Sequence, residues 1–166
     1  MEINTYALTP KIHEKFMKQA YNEALKAYKK LETPVGAVIV LDGKIIARGH
    51  NKRESNQDPT LHAEIIAIKK AAKKLGSWRL TDCDMYVTLE PCPMCAGALI
   101  QSRIRNLFFG AFDPKAGAAG SVINILALEK FNHKVEVING IMEDECSKIL
   151  KDFFKELRLA NKSSNR

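Results

Sequence analysis

The chain has 166 residues, enough for one ordinary domain with a substantial core. Hydrophobic residues make up 46% and charged residues 27%, a balance that excludes a disordered chain, and its apolar runs fall far short of the roughly 20 residues of a membrane span. A formal net charge of +7 and a pI near 9.2 favour a polyanionic partner, nucleic acid first.

Thr9-Pro10 reads as a cap followed by proline in a first helical turn. Ile12, Phe16, Ala20, Ala24, Ala27, Tyr28 and Leu31 then recur at helical spacing. Residues 35–41 form a buried strand, and Asp42-Gly43 turns the chain tightly into a second strand over 44–50. A polar loop over 51–59 leads to Thr60, the expected cap of a helix over 61–75. A third strand spans 85–89 and runs into Glu90-Pro91-Cys92, followed by a short helix over 93–102 and a fourth strand over 106–111. The Gly/Ala-rich segment 112–120 reads as a loop, and Ser121 as the cap of a brief helix reaching Leu128. A fifth strand covers 134–139. Cys146, Ile149, Leu150, Phe153, Phe154 and Leu157 make the apolar stripe of a last helix, with 161–166 a polar, frayed tail. The fold class is therefore α/β, a three-layer α/β/α sandwich around a five-stranded mixed sheet, in one domain over 1–160.

In such sheets the functional crevice lies beyond the carboxyl ends of strands, and Cys92 sits at one. His62 and Glu64 stand at the head of one expected helix, Cys92-Pro-Met-Cys95 at the head of the next. Cysteines three apart share a helix face, so both sulfurs reach one ion, and the positive end of the helix favours thiolates. His62 and Glu64, two apart, converge only on something beyond the helix end, where a metal fits. Cys83 lies a whole strand from Cys92, about 20 Å at strand rise, and Cys146 falls on an apolar stripe. His13, His50 and His133 belong to no ligand motif. With three protein ligands the site is open, as in catalytic rather than structural zinc centres. An open zinc site lowers the pKa of water to about 7, and a carboxylate beside it, Glu64, moves the protons. The pairing of His-x-Glu with Pro-Cys-x-x-Cys is the established signature of zinc nucleobase deaminases.

Residues 58–66, 86–98, 109–121 and 152–158, with Pro34-Val-Gly-Ala-Val38, resemble the bacterial tRNA-specific adenosine deaminases of the cytidine deaminase-like superfamily, a likeness covering about 12–158. The resemblance implies hydrolytic deamination of adenosine to inosine at the wobble position of tRNA, chiefly an arginine tRNA, by a cytoplasmic homodimer with one zinc ion per subunit. Asn51 and the backbone of Ala63 would then bind the flipped adenine, and Pro34 and Val35 would wall the pocket. Asp113 and Lys115 would contact sugar and phosphate, and Phe154 and Arg158 would meet the anticodon stem-loop.

Plainer readings stand beside these. Cys-x-x-Cys alone also serves redox pairs and structural zinc. Phe154 by periodicity is a core residue, Asp113 before Pro114 and Asn51 after a strand are turn formers, and Lys69, Lys70, Lys73 and Lys74 form a solvated face. Two rival functions share the metal core: a deaminase of free guanine or of cytidine nucleotides, and a non-catalytic zinc module that binds RNA.

Overall fold

A computed structural model describes residues 10–165. It opens with helix α1 (Pro10–Lys29), whose first-turn proline lacks an N–H that the helix would leave unpaired anyway. The expected cap Thr9 lies outside the described residues. Strands β1 (Gly36–Leu41) and β2 (Lys44–His50) form an antiparallel hairpin. At its tip Asp42 and Gly43 take φ of 50° and 75°, the paired left-handed turn that an Asp-Gly dipeptide favours. The chain continues through α2 (Arg53–Asn56), α3 (Ala63–Leu75), β3 (Asp84–Leu89), α4 (Pro93–Gln101), β4 (Asn106–Ala111), β5 (Glu136–Ile138) and α5 (Glu143–Ser164).

The strands lie in the order β2-β1-β3-β4-β5, with β1 antiparallel to β2 and β3, and β3, β4 and β5 mutually parallel. Strand alternation assigns the two faces. Ala37, Ile39, Met85, Val87, Leu107 and Phe109 point into a core shared with Ala63, Ala67 and Ala71 of α3 and Ala96, Leu99 and Ile100 of α4. Val38, Val40, Tyr86 and Phe108 point the other way, onto Phe16, Met17 and Ala20 of α1 and Cys146 of α5. The expected three-layer arrangement around a five-stranded mixed sheet is the one found.

Small residues let α3 close on the sheet. A Cβ at Gly49 would stand 2.4 Å from the carbonyl oxygen of Ala63, so only glycine lets β2 lie under the first turn of that helix. This contact fixes the height of the α3 head, and with it His62.

Several local expectations are corrected. Thr60 caps nothing: its N–H and hydroxyl both donate to Asp58, and His62 occupies the N-cap position instead. The helix expected from Ser121 to Leu128 is a single 3₁₀ turn at Ile125–Ala127, because Ser121 donates its N–H and hydroxyl to Glu90 rather than capping a helix. The fifth strand shrinks to three residues, and α2 was not expected. The frayed tail is also overturned, since α5 continues to Ser164 through a sequence without Gly or Pro. The apolar stripe of α5 is narrower than its periodicity suggests, with Cys146, Ile149 and Phe153 buried but Phe154 41% and Leu157 40% exposed.

Candidate metal centre and active site

Four chain segments meet at one end of the sheet: the start of β1 and the ends of β2, β3 and β4. Val35, Asn51, Leu89 and Ala111 from these ends line a cleft of about 690 Å³. The heads of α3 and α4 enter its floor. His62 and Cys92 are the N-cap residues of those helices, both in extended backbone, and neither side chain caps its own helix. Both turn outward to a common point. Cys95, one turn into α4, completes the group.

The Nδ1 of His62 stands 3.6 Å from Cys92 Sγ and 3.6 Å from Cys95 Sγ, and all three donor atoms lie within 4.8 Å of one another. A tetrahedral ion with bonds of about 2.3 Å to sulfur and about 2.05 Å to nitrogen sets those donors about 3.6 Å apart, so the spacing fits zinc. The donor chemistry, two sulfurs and one imidazole, fits it as well. Among the described residues no fourth His, Cys or carboxylate joins the group. The remaining histidines are engaged elsewhere. His13 bonds the Tyr86 hydroxyl, His50 bonds Glu23, and His133 meets the Ile104 carbonyl. Burial pushes the Cys83 thiol up to about 11 and the Cys146 thiol up to about 12, so both stay protonated.

The three donors perturb one another. A hydrogen bond from Cys95, together with the neighbouring His62, pulls the Cys92 thiol down to about 4 against the effect of burial. Cys95, the donor to that thiolate and itself buried beside Glu64, is pushed up. His62 is raised by its hydrogen bond to Cys92. A thiolate, a thiol and an imidazole crowded together in this way suit a divalent cation that displaces the shared proton.

Glu64 is 3% exposed in the first turn of α3 and lies beside this group. Burial pushes its carboxyl up to about 7, only partly offset by a hydrogen bond from Cys95 and by His62. A carboxyl poised there holds or releases a proton at neutral pH.

Of the sequence candidates for substrate contact, Val35, Asn51, Ala63, Asp113, Lys115, Phe154 and Arg158 all line the cleft, whereas Pro34 is buried and does not. The Asn51 side chain is held by its surroundings, accepting from Arg53 N–H at 3.1 Å and donating to the Thr33 carbonyl at 3.3 Å. Ala63 contributes the first backbone N–H of α3, one of those a helix leaves without an internal acceptor. Asp113 Oδ1 accepts from the backbone N–H groups of Lys115 and Ala116, giving the segment its turn. Sequence reasoning missed Thr33, Arg53, Phe112, Ser147 and Lys151, which share the lining. For two of them a signal existed. Ser147, Lys151, Phe154 and Arg158 recur at three- and four-residue spacing, a polar-aromatic stripe hidden beside the apolar one.

Comparison with known proteins agrees with this geometry. Residues 12–158 match the family model for MafB19-like deaminases. The chain is similar to a tRNA-specific adenosine deaminase of Bacillus subtilis (strain 168), with 52% identity over 92% of this chain and 95% of the relative. Its backbone resembles a solved structure from studies of A-to-I editing by tRNA:A34 deaminases at the wobble position of transfer RNA. The TM-score there is 0.79 at 46% identity, covering 82% of this chain and 99% of that one. A guanine deaminase from Bacillus subtilis is less similar in structure, with a TM-score of 0.59 at 46% identity over 60% of this chain and 64% of that one.

Proposed function

The chain belongs to the MafB19-like deaminases and, within them, to the tRNA-specific adenosine deaminases; from that premise we propose that it hydrolyses adenosine to inosine at the wobble position of a tRNA anticodon, releasing ammonia. The observation that carries the reading is the meeting of His62, Cys92, Cys95 and Glu64 at the floor of a cleft with cationic walls. Lys115, Lys151, Arg53 and Arg158 rim that cleft, an electrostatic match to a phosphodiester chain rather than to a neutral free base.

In this reading His62, Cys92 and Cys95 would hold one zinc ion, which when bound would lower the pKa of a water molecule to about 7. Glu64 takes one proton from the attacking water on a carboxylate oxygen and passes it to the ring nitrogen beside the reacting carbon. It then carries the proton left on the new hydroxyl to the amine, so that the C–N bond breaks, ammonia leaves and the carbonyl of inosine forms. Asn51 and the Ala63 N–H orient the flipped base against Val35, which follows the buried Pro34. Asp113 and Lys115 hold the sugar and phosphate, and Phe154 and Arg158 receive the neighbouring nucleotides of the anticodon stem-loop. The reading keeps a single domain, supported by one sheet with both faces covered, and its last helix runs past the boundary expected at residue 160 to Ser164.

The reading extends to an arginine tRNA as the chief substrate, to a homodimer and to a cytoplasmic location. Val122, Ile123, Leu128 and Phe131, all about half-exposed, supply apolar surface suited to a second subunit. No helix among the described residues is long and apolar enough to cross a membrane. The four cysteines form no disulfide, the usage favoured in a reducing compartment such as the cytoplasm.

The test is incubation of the zinc-loaded protein with arginine tRNA transcripts carrying a wobble adenosine, beside other tRNAs, free guanine and cytidine. Inosine at the wobble position of the arginine transcript is expected. Turnover of the free base or nucleoside alone would move the assignment to the rival deaminases.

A further inference from the structure

We propose that Glu90 is the positioning residue for the RNA-facing wall of the cleft, an inference that rests on the tRNA reading above. Glu90 follows β3 directly and is 2% exposed. A carboxylate so buried ordinarily pairs with a cation. Here its partners are the backbone and hydroxyl donors of one loop. Oε1 accepts from the Asp113 N–H at 3.1 Å and from the Ser121 hydroxyl, and Oε2 accepts from Ala119 N–H at 3.0 Å and Ser121 N–H at 3.1 Å. Four donors spread over nine residues of loop thus converge on two oxygens.

The loop's other bonds lie mostly within itself. Asp113 Oδ1 accepts from Lys115 and Ala116 N–H, and the Asp113 carbonyl accepts from Gly117 N–H. The Gly117 carbonyl accepts from Val122 and Ile123 N–H, and Ala119 bridges to Asn124. These bonds set its turns, whereas those to Glu90 fasten it to the end of β3. From this loop Phe112, Asp113, Lys115 and Ala116 line the cleft. The close wrap around the carboxylate also explains Gly117, where a Cβ would stand 2.3 Å from Glu90 Oε2. One further bond, from Ala118 N–H to the Pro91 carbonyl at 2.8 Å, ties the loop to the residue that precedes Cys92. The stretch from Glu90 to Cys92 therefore sets the metal centre with its backbone and the RNA wall with one side chain.

The chemistry requires a group that only accepts. A carboxylate offers lone pairs on both oxygens, whereas the isosteric amide puts an NH₂ against N–H and O–H donors. E90Q should therefore release the wall while keeping volume, burial and the metal ligands.

The experiment measures zinc content, kcat and KM on an anticodon stem-loop with a wobble adenosine, for wild type, E90Q, S121A and G117A. A wall defect predicts KM raised tenfold or more in E90Q and in G117A, which crowds the same carboxylate. S121A should show a smaller rise. Zinc stoichiometry should match wild type, and kcat at saturating stem-loop should stay within threefold. Should E90Q fail to fold, the same KM-selective change in S121A and G117A carries the proposal. Unchanged KM with reduced kcat, or loss of zinc in the folded variants, overturns it. Wild-type protein inert on the stem-loop overturns the tRNA reading and this inference together, whereas active wild type with unshifted KM in the variants overturns only the role of Glu90.

Discussion

Glu64 illustrates how a single residue acquires its chemistry from position. In the first turn of an exposed helix it would be a solvated carboxylate favouring the helix dipole. Buried at 3% exposure beside two sulfurs and an imidazole, its carboxyl is held near 7 instead. Because it stands outside the ligand group, E64Q should retain zinc and lose deamination by about 10²- to 10⁴-fold, read as inosine formed against metal content. C92S should instead lose the metal, and unchanged zinc content there would show the ligand set to be wrong. The raised pKa has a thermodynamic consequence in protein stripped of metal. The native state holds the proton more tightly than the unfolded chain, so this stabilisation is complete below about 4.5 and is lost as pH rises through about 7. The melting temperature of stripped wild type should therefore fall relative to that of stripped E64Q between pH 5 and pH 8. A constant difference across that range would place the carboxyl in an ordinary environment.

At the scale of elements, the four-residue α2 holds Arg53 at the cleft through a residue far away in sequence. Glu32, 1% exposed beyond the end of α1, accepts the backbone N–H of Glu54 at 3.1 Å and the N–H and hydroxyl of Ser55. Burial alone would raise its pKa, but these donors outweigh burial and lower it. A lowered carboxyl contributes stability that is present above its unfolded pKa and lost as pH falls through the folded one. E32Q should cost about 1–3 kcal/mol at pH 7, and the gap to wild type should narrow as pH falls below about 4.5 in denaturant titrations. Such anchors explain which elements were legible in the sequence. The buried apolar run over 35–41 and the Asp42-Gly43 turn announced the hairpin, and the His62/Cys92 motif announced both helix heads. Glu32 and Glu90 leave no periodic signature, because their partners are backbone amides of loops whose path the pattern of apolar residues does not encode. For the same reason α2 and the true path after Ser121 were invisible. Phe154 and Phe153 are adjacent and identical in type, and only the packing of α5 sends Phe153 against Tyr28 and leaves Phe154 facing the cleft.

For the whole molecule, a net charge of +7 invites the assumption that every lysine serves RNA, yet placement divides them. Lys115, Lys151 and Arg158 line the cleft, while Lys69, Lys73 and Lys74 of α3 lie outside it. Cations that neutralise phosphates release counterions, so each true contact adds about 0.7 to the slope of log affinity against log salt for a single-stranded target. Cations on a solvated face alter only the diffuse field, which salt screens within about 10 Å at 0.1 M. Binding of the stem-loop to wild type and to K115Q, K151Q, R158Q and K73Q, measured from 50 to 300 mM salt, separates the two classes. The three cleft variants should each weaken binding and flatten the slope by about 0.7 to 1. K73Q should shift neither by a comparable amount. Equal losses in all four would mean that the basic surface acts as an undifferentiated whole, and that the cleft walls give the anticodon no particular path to the buried carboxyl of Glu64.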